Sequence, residues 1–149
     1  MKKIIYSLFV LATLSFVFVS CGKDDDENPS YPTSAEAGAS GTYSGTFTTD
    51  NNGDIDANPG TITIAPSGQA GCVNVTFSCA ATNLNKTAVA NVWHSNNGYQ
   101  FVNQVGTNGL GTAFSGRIYE NGELYSNFTL EQRVGLKQKL IKFEFSGKR

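Results

Sequence analysis

Three kinds of side chain in this sequence of 149 residues could carry chemistry: cysteines, a histidine and clustered acids. Cys72 and Cys79 close the run "CVNVTFSC", in which apolar and polar residues alternate. If that run is one extended strand, the two Cα atoms stand about 23 Å apart at ~3.3 Å per residue. A disulfide needs roughly 4.4–6.8 Å. Their odd separation also sends the two side chains to opposite faces. An oxidising compartment would favour pairing, yet the spacing favours two free thiols over a strand broken near Ser78. His94 is the single histidine, so a zinc site built on histidines lacks its second ligand. Beside Trp93 it reads as a surface residue at a strand end. A Ser-His-Asp triad has no support beyond it, and no Gly-x-Ser-x-Gly elbow occurs.

Asp50, Asn52, Asp54 and Asp56 alternate in "DNNGDIDAN" as acids do in calcium loops. An EF-hand needs Gly at its sixth position and Glu at its twelfth; here those are Ile55 and Thr61. A looser calcium site competes with a plain hairpin loop whose Asn and Asp side chains bond their own backbone, and the hairpin is the reading adopted. Glu120 and Glu123 flank a tight turn, where charge serves solubility, and they do not form a facing pair for glycoside hydrolysis. Asn74, Asn85 and Asn127 head Asn-x-Thr triplets that Thr-rich strands produce by chance. With no convergent catalytic groups, the expectation is a non-enzyme with no catalytic residues, no metal and no cofactor. The better hint is aromatic. In "NVWHSNNGYQFVNQV", Trp93, Tyr99 and Phe101 lie near Asn97, Asn103 and Gln104. Aromatic walls with a few amides suit a small amphipathic ligand or a sugar, so Trp93, Tyr99, Phe101 and Asn103 are the candidate binding residues. A packed interior accounts for the same rings.

Strands must position these groups, because period-two alternation recurs and no helical stripe does. Tyr43, Gly45 and Phe47 share a face in "GTYSGTFTT". So do Val73, Val75 and Phe77; Phe114, Gly116 and Ile118; Leu124, Phe128 and Leu130; and Ile141, Phe143 and Phe145. "TITIA" from Thr61, "TAVANVW" from Thr87 and "GYQFVNQV" from Gly98 bring the count to about eight. Asn121-Gly122 predicts a type I′ hairpin turn, Asn96-Asn97-Gly98 a second tight turn, and Asn58-Pro59-Gly60 and Ala65-Pro66-Ser67-Gly68 turns around the second strand. One dry and one wet face per strand, with short connections, implies an all-β domain of antiparallel strands, as an up-and-down barrel or a β-sandwich. Eight closed strands leave room for side chains or one small ligand. An immunoglobulin-like sandwich lacks its Cys…Trp…Cys spacing, since Trp93 follows both cysteines.

The opening "SGTYSGTF" from Ser40 resembles the first strand of the calycins, the lipocalins, fatty-acid-binding proteins and avidins, which begin Gly-x-Trp. Here Gly41-Thr42-Tyr43 stands in that place, with Tyr for Trp. The resemblance implies a barrel floor closed by Tyr43, with a late basic residue packed on it, for which Arg133, Lys148 and Arg149 are candidates.

The N-terminal part reads separately. Lys2 and Lys3 precede sixteen uncharged residues, Ile4 to Val19, which is a secretory layout and short for a membrane span of ~20 residues. Phe18, Val19 and Ser20 before Cys21 resemble the lipobox of bacterial lipoproteins, with Phe18 where Leu is commonest. That resemblance implies cleavage after residue 20 and lipid on Cys21, each buried methylene contributing ~0.8 kcal/mol. Asp24, Asp25, Asp26 and Glu27 cannot hold to an anionic membrane and keep a linker solvated. They also resemble the acidic export signal of Bacteroidota surface lipoproteins, which implies an outer-membrane, lipid-anchored, cell-surface location. Residues 21–40 are then a flexible tether and 41–149 one barrel domain. From Gly41 onward there are eight basic and seven acidic residues, net +1, so nucleic acid is not implied as a partner. The expected function is a surface binding module for a small amphipathic ligand or sugar, against a rival reading as a structural or interaction subunit with a filled barrel.

Overall fold

Alternation at period two is realised from Gly41 to the C-terminus as eight strands. They are β1 (Gly41–Asn51), β2 (Asp54–Pro66), β3 (Cys72–Cys79), β4 (Leu84–Ser95), β5 (Gly98–Asn103), β6 (Phe114–Tyr119), β7 (Glu123–Val134) and β8 (Lys137–Lys148). The structure, a computed structural model, describes residues 34–51, 53–103, 113–134 and 137–149. The expected leader, Cys21 and the tether as far as residue 33 lie outside the described residues, as do Asn52, Gln104 and the side chain of Arg133. Every strand pairs antiparallel with its neighbour in sequence, and β1 pairs with β8 from Ser44↔Lys148 to Asp50↔Lys142. That last pairing closes the sheet into a barrel and removes the sandwich alternative.

The faces fall as the alternation requires. Tyr43, Phe47, Ile62, Val73, Val75, Phe77, Ile118 and Leu124 are buried at or near zero exposure, and the residues between them face outward. Apolar inside with Thr, Asn, Lys and Glu outside is the reverse of a membrane-spanning barrel. Phenylalanine rings from six strands run through the interior in contact. Phe101 meets Phe114 (centroids 6.2 Å apart), Phe114 meets Phe77 (5.1 Å) and Phe77 meets Phe128 (4.6 Å). Phe128 stacks on Phe143 at 5.0 Å and meets Phe47 edge-on at 6.3 Å, and Phe47 meets Phe145 at 4.7 Å. Each buried ring contributes about 1.5–3 kcal/mol of transfer energy, and favourable ring pairs add about 0.5–1.5 kcal/mol. Space for so many rings comes from glycine: a Cβ on Gly116 would stand 2.1 Å from Phe101 Cζ, its cross-strand partner.

Three expectations are corrected. Residues 34–39, assigned to the tether, form helix α1 (Ser34–Ala39), which packs on the barrel end through buried Ala35, Glu36 and Ala39. Six residues cannot hold a helix by propensity, so packing makes it. Asn58-Pro59-Gly60 is not a turn but part of β2, paired as Phe47↔Asn58, Thr46↔Pro59 and Gly45↔Gly60. β3 reaches β2 only from Thr61 onward, so Pro59 sits where β2 has an open edge and no ladder bond is lost there. Asn121-Gly122 is not type I′, because only Gly122 has positive φ (83°). Gly122 N donates to Tyr119 O at 2.9 Å, which gives a three-residue loop ending in a left-handed glycine.

Candidate functional site

The end of the barrel where β1 starts is shut. Ala39 O accepts from Tyr43 Oη at 2.9 Å, and Arg149 Nη2 donates to both Tyr43 Oη and Gly38 O at 2.9 Å. The Arg149 guanidinium lies 5.3 Å over the Tyr43 ring, so of the three basic candidates Arg149 is the one packed on this aromatic. Burial pushes the Tyr43 phenol above its ordinary value, opposed by the hydrogen bond and charge of Arg149. Glu36 is buried in α1 and accepts from Gly71 N through Oε1, tying the helix to the loop before β3.

The four expected binding residues do not form one wall. Tyr99, Phe101 and Asn103 are on the inner face of β5, and Trp93 is on the outer face of β4. The reason is parity: Ala88, Ala90 and Val92 are buried inside, so Trp93 must face out, 41% exposed. Tyr99 lies under α1 at the shut end, its hydroxyl against Gly38 and its ring 4.9 Å from His94. Phe101 is core. Asn103 is buried and donates its amide to Val89 O.

The opposite end holds a cavity of about 380 Å³, within the ~300–1,000 Å³ of small-ligand sites. Alternation brings its walls together. Thr49 and Asn51 come from β1, Leu84 and Lys86 from β4, Leu130 from β7, and Ile141 and Phe143 from β8. Phe143, stacked on Phe128, is the floor. The β1–β2 and β7–β8 ladders run on to Asn51↔Asp54 and Val134↔Lys137, past the ends of their other neighbours, and form the higher rims. Around an apolar base stand Lys86, Asp56 and Glu131. Asn51 Oδ1 is buried with no hydrogen-bond partner among the described residues. An unsatisfied buried acceptor costs about 1–3 kcal/mol.

The acidic loop behaves as a hairpin: Gly53 N donates to Asp50 Oδ1 at 2.9 Å, and Asp54 and Asp56 are exposed. Among the described residues no group of three or more His, Cys, Asp or Glu could hold a metal ion. The two cysteines do face opposite sides, but only Cys79 is free, buried in the core. Cys72 is disulfide-bonded. That bond is not to Cys79, and it corrects the expectation of two free thiols. Sequence spacing excluded a bond between the two cysteines and said nothing of a third.

The orphan Asn51, the Arg149 clamp on Gly38 and helix α1 were not read from sequence. The Gly-x-Tyr opening located Tyr43, and Ala35 and Ala39 at i, i+4 spacing were the available sign of α1. Comparison with protein-family models, curated proteins and solved structures finds no match to this chain.

Proposed function

We propose that this chain is a lipid-anchored binding module of calycin-like type, and that it takes a small amphipathic ligand at the barrel mouth opposite α1. The observation that carries the reading is the buried, unpartnered Asn51 Oδ1 above an apolar base of Leu84, Leu130, Ile141 and Phe143. A ligand with an apolar body and one hydroxyl or amide N–H donor matches that arrangement. Because phenylalanine fills the interior, the ligand sits at the mouth and does not run down the axis.

Lys2 and Lys3, the uncharged run to Val19, Cys21 and the acids behind it support secretion, lipidation and display at the outer surface of a bacterial outer membrane. A lipid thioether and a disulfide are exclusive fates for the Cys21 sulfur. Peptide mapping of protein from its own membranes tests this: acyl mass on Cys21 is expected, and Cys21 found in a disulfide refutes the anchor.

The mouth is tested by native mass spectrometry on the same material. Wild type should retain a small molecule that Leu130→Trp, which fills the cavity, has lost. Wild type that carries nothing, or a variant that carries as much, overturns the reading. The packed ring core favours the second reading, a subunit that docks other surface proteins. A stoichiometric protein partner co-purifying with an empty barrel would establish it.

A further inference from the structure

The outer wall carries a site of different chemistry. Register places Trp93 opposite Gln100, Gln100 opposite Arg117, and Arg117 opposite Tyr125, one outward row across four strands. The next row sets Ser115 between Val102 and Asn127, with Asn127 opposite Glu144. Small side chains between tall ones leave a groove of about 590 Å³ along this wall. Trp93 and Tyr125 are 41% and 47% exposed, although large aromatics are mostly buried when nothing else needs them.

Their surroundings are ordered before any ligand arrives. The Tyr119 and Tyr125 rings meet edge-on at 5.7 Å, and the Arg117 guanidinium lies 5.9 Å over Tyr119. With its amide oxygen turned toward Arg117, the orientation in which donor meets acceptor, Gln100 accepts from Arg117 Nε at 3.1 Å. Arg117 and Glu144 are the charged groups among the described lining residues, and Glu144 is ion-paired with Lys142 at 2.6 Å. A second cavity of about 330 Å³ shares Gln100 and Arg117 and continues to Asn96 and Asn97 at the β4–β5 turn.

We infer that this wall is a binding site for an oligosaccharide, separate from the barrel mouth. The apolar C–H face of a pyranose stacks on an exposed aromatic ring, and its hydroxyls both donate and accept. Amides, a guanidinium and a carboxylate arranged around the rings supply the complementary groups. Two contiguous cavities joined at Gln100 and Arg117 call for a chain of sugars.

Trp93 is the single tryptophan, so its fluorescence reports this wall alone. The test is fluorescence titration and calorimetry with cellotetraose, xylotetraose, mannotetraose and maltotetraose. At least one should bind with a dissociation constant of about 1 mM or tighter and shift the emission. Tyr125→Ala and Trp93→Ala, both at exposed positions, should each weaken binding by ~3- to ~10-fold, the range of a single aromatic contact. Leu130→Trp, read by calorimetry because it adds a second tryptophan, should leave sugar affinity unchanged, so failure at the mouth and failure at this wall are read apart. No binding across the panel overturns the inference, as does binding that neither aromatic substitution weakens. A protein that docks on this wall and is released by the same substitutions, with no sugar bound, also overturns it.

Discussion

Removing the Tyr43 hydroxyl and the Arg149 side chain, singly and together, measures how the barrel end is held shut. The hydroxyl donates to Ala39 O and accepts from Arg149 Nη2, both at 2.9 Å. At about 0.5–1.5 kcal/mol net per hydrogen bond, Tyr43→Phe should cost about 1–2 kcal/mol. Arg149→Ala loses the same shared bond, the bond to Gly38 O and the cation over the ring. The Arg149 residue is exposed, so screening lowers each term, and about 1–2 kcal/mol is expected. The phenylalanine variant keeps the ring and its cation–π contact. Non-additivity in the double variant therefore isolates the hydroxyl–guanidinium bond, at about 1 kcal/mol. Urea unfolding reads it: with a slope of about 1.5 kcal/mol/M, each single change moves the midpoint down by about 1 M. Arg149→Lys should recover less than half of the loss, because an ammonium cannot copy the planar fork that reaches both acceptors. Costs that add to within about 0.3 kcal/mol would refute a shared bond.

Gly116→Ala should destabilise by about 1–3 kcal/mol, since the new methyl meets the Phe101 ring; combining it with Phe101→Leu should shrink that penalty, and equal chemical-denaturation midpoints for Gly116→Ala and wild type would refute the contact. Tyr43 also sets an alkaline limit. Its folded-state pKa is raised above the ordinary value by burial, so its protonated form contributes stability that is intact below about pH 10 and is lost as pH rises through the folded value. Thermal unfolding against pH should show this part of the decline in wild type and not in Tyr43→Phe.

The faces of the strands were legible because β1, β3 and β6 to β8 alternate cleanly, and a one-residue slip would have put Phe47, Phe77 or Phe145 into water. Trp93 was legible as well: its parity against Ala88, Ala90 and Val92 places it outside, whereas nearness in sequence to Tyr99 and Phe101 groups it with residues on the other face. Pro59 misled because a proline is a breaker only where its N–H is wanted, and whether β2 has a neighbour there depends on where β3 ends. α1 was illegible for another reason. SAEAGA is too short to be helical alone, and its partners, Tyr99 and Arg149, lie far along the chain. The mouth depends on how far two hairpins overrun their neighbours, a property of register that composition does not encode.

Helix α1 and the C-terminal Arg149 meet at one pole of the barrel. On the anchoring proposed above, the body would be held at that pole, where Ser34 begins α1. In a chain so anchored, the mouth beyond Phe143 would look toward the medium, and the Trp93–Tyr125 flank would lie sideways to it. The two openings would meet different populations of molecules, freely diffusing ones at the top and neighbours fixed to the same layer along the side.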